Sequence, residues 1–512
     1  MLPWRKGKRH NEGLEALMLE LEPFGDRFLT IADDHASKPA LRYHGEVMSY
    51  EELLREVLIV SNALRQRGLK HGDRVLMACA EKLPMFLCHL GVMMAGGMSV
   101  PLNPDFTVHE LAYFVTDADP RLAVADGAAA GLLGAVIAER EASCEVLSAQ
   151  ELAGFEGGPL ESPCFAADDD CLMLYSSGTT GEPKGAVHSH GSLAHAVAAI
   201  AKCWQFTPDD TLLNCLPLYH IHGLSFASHT VLSTGCEMML EDRFHPRDTM
   251  EQMKDATVFY GIPPFHYAFM KRREFPDYAR QWEKLRLITC GSAPIRPEVL
   301  PELEAIVGQP IINRYGMTET HVITSLPLTG PHKQGSVGLP LPGIEVQVRN
   351  KDGTAVEVGE VGCVYVRGPN LFDRYWRMKE GMARTFDEGG WFETGDLAES
   401  DEDGFLTMRG RSKDLIIVSG YNVYPPIVER VLNSCPLVQE SAVIGVPDER
   451  RGERVVAVVV CDDCEPDEAA IKSYAREHLV EYQCPDRVVF FEELPRNTMG
   501  KILKRQLRDE LA

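Results

Sequence analysis

The chain has 512 residues, of which 45% are hydrophobic and 25% are charged, the composition of an ordinary folded protein. This length exceeds the size at which a single hydrophobic core stops growing, so we expect two or more domains. The formal net charge is −24, from 75 acidic and 51 basic residues. Such a chain repels the phosphates of nucleic acids and of anionic membranes, and we expect no nucleic-acid partner.

The sequence predicts a cytoplasmic protein with no membrane span. Its basic start is not followed by the apolar core of a signal peptide. The longest mostly apolar stretch is interrupted by His89 and by glycines, and a proline, Pro101, lies near its end. The 14 cysteines are scattered, mostly within apolar runs, which is typical of buried thiols in a reducing compartment.

Strands and helices alternate over the first two thirds of the chain. From residue 72 an apolar strand, a helix and a second strand follow one another, and "RLAVAD" from Arg121 adds another strand. The alternation returns at 255–270, 285–307 and 310–320. This pattern predicts an α/β fold with parallel sheets, in which ligands bind beyond the carboxyl ends of the strands.

The pattern changes after residue 340. Short segments of alternating polarity, separated by Gly, Asp and Asn, predict antiparallel strands. The last hundred residues predict, in order, a helix, two strands, a helix, a strand and a basic tail. That set is sufficient for a small α+β domain of its own, with a boundary near Arg411–Asp414.

The most distinctive segment is "YSSGTTGEPKGAVHSH", from Tyr175 to His190. An apolar strand precedes it and a segment of helical periodicity follows, so we interpret it as a strand-to-helix turn. Its glycines allow close approach of backbone N–H groups to an anion, its hydroxyls can donate, and Lys184 adds a charge, so it can hold a polyphosphate. It is not a Walker A loop, because Pro183 stands five positions after Gly178.

The loop "SSGTTGEPKG" resembles the signature of the adenylate-forming superfamily, which includes acyl-CoA synthetases, the adenylation domains of peptide synthetases and luciferases. Six more segments resemble this family's motifs in the family's order. They are "LPLYHIHGL" from Leu216, "CGSAP" from Cys290, "NRYGMTET" from Asn313, "TGDL" from Thr394, "GRSKDLIIVSGYNVYP" from Gly410 and "PRNTMGKILKRQL" from Pro495. The chain is therefore identified as a member of this superfamily over nearly its whole length.

The resemblance implies a two-step reaction in which a carboxylate attacks the α-phosphate of ATP and the acyl-adenylate is then transferred to CoA. It implies ATP, Mg²⁺ and CoA as cosubstrates, and catalytic roles for Lys501, Thr179, Glu319 and His220, with Thr179 and Glu319 at the metal. The remaining residues implied in binding nucleotide or CoA are Ser176, Ser177, Gly178, Thr180, Gly181, Lys184, Gly291, Ser292, Ala293, Pro294, Arg314, Tyr315, Gly316, Met317, Thr318, Asp396, Arg411, Lys413, Gly420 and Tyr421.

The resemblance also implies three parts: a large multi-layer N-terminal domain at 1–410, a hinge at 411–414 and a small mobile α+β C-terminal domain at 415–512. The large domain is expected to contain parallel sheets and a small distorted barrel. Lys501 would come to the α-phosphate from the small domain. For the second step that domain would rotate about the hinge, with Lys413 at the pivot. Gly420 would then let the thiol of CoA approach the acyl carbon. A homodimer is left open.

The acid is less well defined by the sequence. Amino-acid-activating relatives carry an Asp in the region of Tyr219–His222, so a free amino acid is disfavoured, and His220 is expected in the acid pocket. The nearest resemblance within the family is to the malonyl-CoA synthetase branch. A diacid needs a second cation for its distal carboxylate, and Arg314 and Arg243 are candidates. Arg314 could equally be a structural partner of a carboxylate, and Arg243 a surface charge.

One departure counts against malonate. His321–Ile323 is more apolar than the corresponding segment of that branch, which places a fatty acid or a small organic acid level with malonate, and aryl acids below both. An adenylating enzyme that loads a carrier protein is an alternative, although the segment from Gly420 to Tyr424 favours CoA. A nucleotide-binding protein without chemistry is disfavoured, because Lys501, Glu319 and Asp396 are all retained.

Overall fold

A computed structural model describes residues 21–159, 163–176, 183–296, 298–377, 385–448, 450–461, 467–497 and 500–511. The strands are β1 Pro39–Tyr43, β2 Glu46–Ser49, β3 Arg74–Ala78, β4 Met98–Pro101, β5 Leu122–Ala125, β6 Glu145–Leu147, β7 Asp170–Ser176, β8 Lys184–Ser189, β9 Thr211–Asn214, β10 Glu237–Leu240, β11 Val258–Gly261, β12 Leu287–Cys290, β13 Ile311–Met317, β14 His321–Ser325, β15 Leu339–Pro340, β16 Glu345–Arg349, β17 Gly362–Arg367, β18 Arg374–Tyr375, β19 Phe392–Ser400, β20 Leu406–Arg411, β21 Ile416–Val418, β22 Tyr421–Val423, β23 Val438–Asp448, β24 Gly452–Cys461 and β25 Arg487–Phe490.

The α-helices are α1 Phe24–Asp34, α2 Tyr50–Gln66, α3 Lys82–Met94, α4 Val108–Ala118, α5 Gly127–Glu139, α6 Ala149–Ala153, α7 His190–Cys203, α8 Thr230–Thr234, α9 Pro246–Gln252, α10 Pro263–Met270, α11 Phe275–Ala279, α12 Leu300–Val307, α13 Pro425–Asn433, α14 Glu468–His478 and α15 Lys504–Leu511. A π-helical segment covers His222–His229, and 3₁₀ turns cover Ser412–Asp414 and Glu481–Gln483. In the part of the chain that the structure describes, every helix is too short or too polar to span a lipid bilayer.

Two large sheets form the N-terminal part. The first has nine strands in the order β15-β14-β13-β12-β11-β9-β10-β1-β2, and the second has seven in the order β18-β8-β7-β4-β3-β5-β6. The central strands of both are parallel. Strands β3, β4 and β5 are short, nearly continuous apolar runs that are almost completely buried, as expected when helices cover both faces of a parallel sheet. The predicted α/β class is confirmed.

One local prediction in this region is wrong. The distinctive loop is not a strand-to-helix turn, because residues after it form β8, which pairs antiparallel with β7 from Ser176↔Lys184 to Asp170↔Ser189. Helix α7 begins only at His190, after Ser189 has capped it by accepting a bond from the backbone N–H of Ser192. The run "KGAVHS" is a short buried strand, and its six residues are too few to be separated from the helix by periodicity.

The smaller sheets follow the predicted order. Strands β16, β17, β19 and β20 form a four-stranded antiparallel sheet, and β22, β21, β24, β23 and β25 form the sheet of the C-terminal part. The long hairpin β23–β24 separates two apolar clusters, one on each face. The predicted basic tail is a helix, α15, because its Leu507 packs into one of these clusters.

The chain passes from the four-stranded sheet to the C-terminal sheet through the 3₁₀ turn Ser412–Asp414. Arg411 is the last residue of β20 and pairs with Asp396 of β19. Ile416 begins the next sheet. The hinge expected at 411–414 falls at this passage, and its rotation and the domain limits stay predictions.

Candidate active site

A carboxylate site forms where the start of the distinctive loop meets the motif at 313–320. Glu319 is 4% exposed, and its Oε1 accepts hydrogen bonds of 2.9 Å from the hydroxyls of Ser176 and Tyr375. Burial and the neighbouring Glu319 raise the pKa of Tyr375, so its phenol stays a donor. The ammonium of Lys184 lies 5.2 Å from the centre of the Tyr375 ring. A buried carboxylate that two hydroxyl donors orient suits a divalent ion bridged to phosphates.

Five expected residues, Ser177, Gly178, Thr179, Thr180 and Gly181, lie outside the described residues. Among the described residues, no group of three or more His, Cys, Asp or Glu side chains could hold a metal ion on its own. A cation at Glu319 would therefore depend on ligands from the nucleotide, as is common for Mg²⁺ with substrate phosphates.

A second carboxylate, Asp396, is fixed on strand β19. Its Oδ2 accepts a bond of 2.7 Å from the Tyr315 hydroxyl, and its Oδ1 lies 3.0 Å from Nε of Arg411. Its backbone N–H donates to the Thr394 hydroxyl at 3.1 Å. Asp396 is 5% exposed. A carboxylate held in this way can accept hydrogen bonds from the two hydroxyls of a ribose.

Lys501 is brought to this pair from the C-terminal part. Burial lowers the pKa of its ammonium to about 8, and among its neighbours Arg411 lowers that pKa further while Asp396 raises it. A tight turn holds the lysine: Asn497 N–H donates to the Lys501 carbonyl, and Lys501 N–H donates to Asn497 Oδ1, each at 2.9 Å. The preceding Gly500 contacts α10, since a Cβ built on it would lie 2.3 Å from Cγ of Pro264.

The turn after β12 forms another wall. Ser292 has a positive φ of 67°. Its Oγ lies 2.9 Å from Nδ1 of His222. Gly291 must lack a side chain, because a Cβ there would lie 2.8 Å from Cζ of Arg314. Ala293 is half-buried and Pro294 is exposed, so this turn has an open side that a nucleotide base can approach.

Arg314 is buried without a partner for most of its donors. It is 3% exposed, and within the described chain its Nε and Nη2 have no hydrogen-bond acceptor. Its guanidinium carbon lies 4.8 Å above the ring of Phe226. Burial lowers the pKa of this guanidinium to about 10, which leaves it charged at neutral pH. A buried cation with open donors is a receptor for an anion.

The residues around Arg314 were mostly missed by the sequence analysis. Three buried polar atoms near it, the Tyr260 hydroxyl, the Thr289 hydroxyl and Nε2 of His222, also have no partner in the described chain. Tyr260 and Thr289 are register partners on β11 and β12, and the His222 and Tyr260 rings are 5.7 Å apart. These residues are far apart in the sequence, and only the register of the strands shows that Tyr260 and Thr289 are neighbours. Tyr375 was missed for the same reason, since 56 residues separate it from Glu319.

The remaining motif residues have simpler surroundings. His220 is half-buried at the start of the π-helical segment, and burial lowers the pKa of its imidazole to about 4, so the ring is neutral. Gly316 is required by packing, since a Cβ there would lie 2.2 Å from the His321 carbonyl. Met317 pairs with His321 across the β13–β14 hairpin, and the Thr318 carbonyl accepts a bond of 2.9 Å from His188 Nε2.

The structure does not bring every expected residue to the site. Gly420 and Tyr421 are exposed, and the Tyr421 ring stacks on Tyr482 of the same domain. Lys413 is exposed too, but it lies near Lys501, since its charge lowers the pKa of that ammonium. Gly420 lies in the β21–β22 turn with a φ of 87°, a backbone conformation that favours glycine. Crowding is not the reason for glycine here, because a Cβ would meet nothing within 4 Å. Arg243 is exposed as well.

Comparison with family models identifies both parts of the chain. Residues 28–376 match the model described as AMP-binding enzyme, and residues 427–501 match the model of the AMP-binding enzyme C-terminal domain. The chain belongs to the AMP-binding enzyme family. The sequence resemblance to adenylate-forming enzymes is thereby confirmed.

Individual relatives extend this result. The chain is 31% identical to a mitochondrial malonate–CoA ligase of Mus musculus, covering 98% of this chain and 91% of the relative. It is also 31% identical to a long-chain-fatty-acid–CoA ligase of Yersinia pestis, covering 95% and 94%. The expected enzyme class, an AMP-forming acid–thiol ligase of the acyl-CoA synthetase type, is confirmed by these relatives.

A solved structure gives the same fold. ATP-bound MatB from Rhodopseudomonas palustris is 37% identical, with a TM-score of 0.91 over 96% of this chain and 99% of that one. The apo form of the same protein has a TM-score of 0.78 over the same shares. By this measure the chain is more similar to the ATP-bound structure than to the apo structure.

Proposed function

We propose that this acyl-CoA synthetase activates a small dicarboxylic acid of the malonate type, with ATP, Mg²⁺ and CoA as cosubstrates. The observation that carries the proposal is the buried guanidinium of Arg314, whose Nε and Nη2 have no acceptor in the described chain. Leaving such donors unpaired is costly, and a distal carboxylate would satisfy two of them in a bidentate pair. The unpaired hydroxyl of Tyr260 and Nε2 of His222 supply further donors for the same anion.

The other residues support the first step, adenylate formation. Asp396 accepts from the ribose hydroxyls, the turn at Gly291–Pro294 faces the adenine, and the loop from Ser176 to Lys184 holds the pyrophosphate end of ATP. Mg²⁺ at Glu319 would neutralise charge on the phosphates. Lys501 places its ammonium between the acid carboxylate and the α-phosphate, where negative charge develops. Attack forms the acyl–phosphate bond and breaks the bond to pyrophosphate.

The second step requires a different arrangement. Lys501 lies beside Asp396 and Arg411 in the arrangement described here, and Gly420 is exposed in the turn of its hairpin. Rotation about 411–414, with Lys413 at the pivot, would withdraw Lys501 and admit the CoA thiol. The thiol then forms the acyl–sulfur bond, AMP leaves, and the thiol proton goes to solvent. A cytoplasmic location and a homodimer also stay predictions.

A fatty acid is the second candidate, and the apolar segment His321–Ile323 favours it. In the structure this segment is strand β14, and all three residues are buried. The His321 ring lies 3.0 Å from Ser225 Oγ and 3.3 Å from the Asn370 carbonyl, so it is part of the core. The segment therefore offers weaker support for an acyl chain than Arg314 offers for a carboxylate.

The acid is tested by measuring AMP release with malonate, methylmalonate, acetate, octanoate, palmitate and benzoate. We expect the diacids to give the highest kcat/KM. Replacing Arg314 with Met keeps an apolar stem and removes the cation, and kcat/KM for diacids should fall about 100-fold or more, as for loss of a buried charged hydrogen-bonding partner. Monoacid activity should not fall in parallel.

Arg243→Ala is the matched control, because it removes an exposed arginine and should leave both acids unchanged. A wild-type preference for octanoate or palmitate would reject the diacid in favour of the fatty acid. Equal losses on diacid and monoacid in Arg314→Met would show that the arginine supports the fold and does not bind a distal carboxylate.

A further inference from the structure

Arg296 reaches from the N-terminal part of the chain to the C-terminal part. It lies on the connection after β12, two residues beyond Pro294. Its Nη1 donates to the carbonyl of Gln439 on β23 at 3.4 Å, across 143 residues of sequence. The bond therefore joins the two parts that the proposed second step requires to move relative to each other. None of the family motifs includes Arg296 or Gln439.

Helix α10 holds Arg296 in this position. The hydroxyl of Tyr267 accepts a hydrogen bond of 3.1 Å from the backbone N–H of Arg296. The guanidinium carbon of the arginine lies 5.0 Å from the centre of the Tyr267 ring. An aromatic ring attracts a cation over its face, and the stacked geometry restricts the conformations of a long side chain. One tyrosine thus orients both the backbone and the side chain of Arg296.

The same helix meets the C-terminal part at a second point. Pro264, one turn before the tyrosine, lies against Gly500 in the turn that holds the catalytic lysine. Strand β23 is joined to that turn as well, because Glu440 pairs with Arg496, whose Nη1 donates to the Gly500 carbonyl at 2.6 Å. The strand that receives the Arg296 bond and the turn of the lysine therefore form one surface, which α10 and its bound arginine support from the other side.

The bond between Arg296 and Gln439 is suited to a contact that forms and breaks in each cycle. Arg296 is half-buried, and its bond to the carbonyl is exposed to solvent. Water competes for exposed charged groups, so separating them costs little. A buried ion pair between the two parts would resist separation, because each charge would have to be left without its partner. An exposed bond can favour one domain arrangement without preventing the other.

We propose that Arg296, oriented by Tyr267, is a positioning residue for adenylate formation, which stabilises the domain arrangement that places Lys501 beside Asp396. The inference rests on the proposed function, in particular on the rotation about 411–414. That rotation would carry β23 away from Arg296. A contact made in one of two arrangements shifts the equilibrium towards that arrangement. Loss of the bond should therefore slow the first half-reaction and spare the second.

Replacing Arg296 with Met tests the inference, because it keeps an unbranched side chain and removes the donors. ATP–pyrophosphate exchange reports adenylate formation. Thioester formation from CoA and a chemically prepared acyl-adenylate of the preferred acid reports the second step alone. Exchange should fall about 3- to 10-fold, the effect of losing one hydrogen bond. The rate of thioester formation should stay at the wild-type value.

Tyr267 provides a second set of variants. Tyr267→Phe keeps the aromatic ring and removes the acceptor for the Arg296 N–H, whereas Tyr267→Leu removes both contacts. The loss of exchange should therefore be larger in Tyr267→Leu than in Tyr267→Phe. Adding Tyr267→Leu to Arg296→Met should cause little further loss, because both residues act through the same bond. Full additivity of the two losses would contradict the role given to the tyrosine.

Arg367→Met is the matched control. Arg367 is also half-buried, its guanidinium carbon lies 4.5 Å from the centre of the Trp391 ring, and its Nη1 donates to the Gly389 carbonyl at 3.2 Å. All of these contacts lie within the N-terminal part. Its replacement removes a stacked arginine without touching the domain contact, so exchange and thioester formation should both be unchanged.

The outcomes separate this inference from the proposed function. A loss of exchange with retained thioester formation in Arg296→Met, absent from Arg367→Met, supports it. Equal exchange in Arg296→Met and the wild type would overturn it and leave the acyl-CoA synthetase activity standing. A parallel fall of both half-reactions, or an equal loss of exchange in the control, would also overturn it, because either indicates a general structural role. A wild type that forms no acyl-CoA from any acid of the panel would reject the proposed function instead.

Discussion

At the scale of single residues, the proposed role of Lys501 in the first step depends on its protonation state. Its ammonium lies near Asp396 and Arg411, and burial lowers its pKa to about 8. The cationic form is needed to bridge two anions, and it is the form present below that pKa. Burial lowers the pKa of the ammonium, but it also strengthens the interaction of the charged form with the reacting groups, because the surrounding dielectric constant is low.

A pH dependence follows for adenylate formation. The kcat/KM of ATP–pyrophosphate exchange should be constant below about pH 8 and fall about tenfold per pH unit above it, as Lys501 loses its proton. Lys501→Ala should abolish exchange at every pH. Thioester formation from prepared adenylate is the control and should not show this decrease. A profile that stays flat to pH 10 would falsify the assignment of the lysine.

At the scale of elements, the turn that carries Lys501 is held on both sides. Arg496 Nη1 donates to the Gly500 carbonyl at 2.6 Å, and the same guanidinium pairs with Glu440 on β23. On the other side Gly500, with a φ of 78°, contacts Pro264 at the start of α10. Gly500 belongs to the C-terminal part of the chain and Pro264 to the N-terminal part. The distance between these two residues therefore limits how closely Lys501 can approach Asp396 and Arg411.

Gly500→Ala therefore tests domain closure. The added Cβ would overlap the Pro264 ring, and a displacement of about 1 Å at a catalytic group can reduce rate about 100-fold, so exchange should fall about 10- to 100-fold. Thioester formation from prepared adenylate should be retained. Gly353→Ala is the control, because its φ of 81° imposes the same backbone strain but a Cβ there meets nothing within 4 Å. If Gly353→Ala slowed exchange as much as Gly500→Ala, the loss would be attributed to backbone strain and not to the contact with Pro264.

At the scale of the whole molecule, the interior contains many neutral histidines. Burial lowers the pKa of several imidazoles to about 4, namely those of His188, His190, His195, His220 and His266, and lowers that of His89 to about 3. His89 and His229 share a hydrogen bond of 2.8 Å between their Nε2 atoms. Such a bond requires at least one neutral ring, so these groups resist protonation as long as the chain is folded.

Stability should consequently fall in mild acid. The unfolded chain binds protons at these histidines below about pH 6.5, whereas the folded chain does not until about pH 4. Each such histidine therefore removes about 1.4 kcal/mol of the free energy of unfolding per pH unit in that window. Urea unfolding at pH 7, 6 and 5 should show the midpoint falling steeply, and a midpoint that does not move between pH 7 and 5 would contradict this account.

The sequence alone determined the family, the reaction class and the fold class. Each motif is a short local pattern whose residues are set by the chemistry they serve, so spacing within the motif is enough to identify it. Strands such as β3 and β5 and helices such as α3 were also predictable, because continuous apolar runs and helical periodicity are local properties. The six-residue strand β8 was missed, since so short a run carries too little periodicity.

Only the tertiary structure decided which side chains meet. Tyr375 reaches Glu319 across 56 residues, and Tyr113 reaches Pro183 across 70. The sequence left Arg314 either a structural ion pair or a receptor for an acid, and the fold buries it with two donor groups that have no acceptor in the described chain, which is the observation behind the proposed second role. Such contacts depend on strand register and on the packing of distant elements. For that physical reason they are not written in any local pattern of residues.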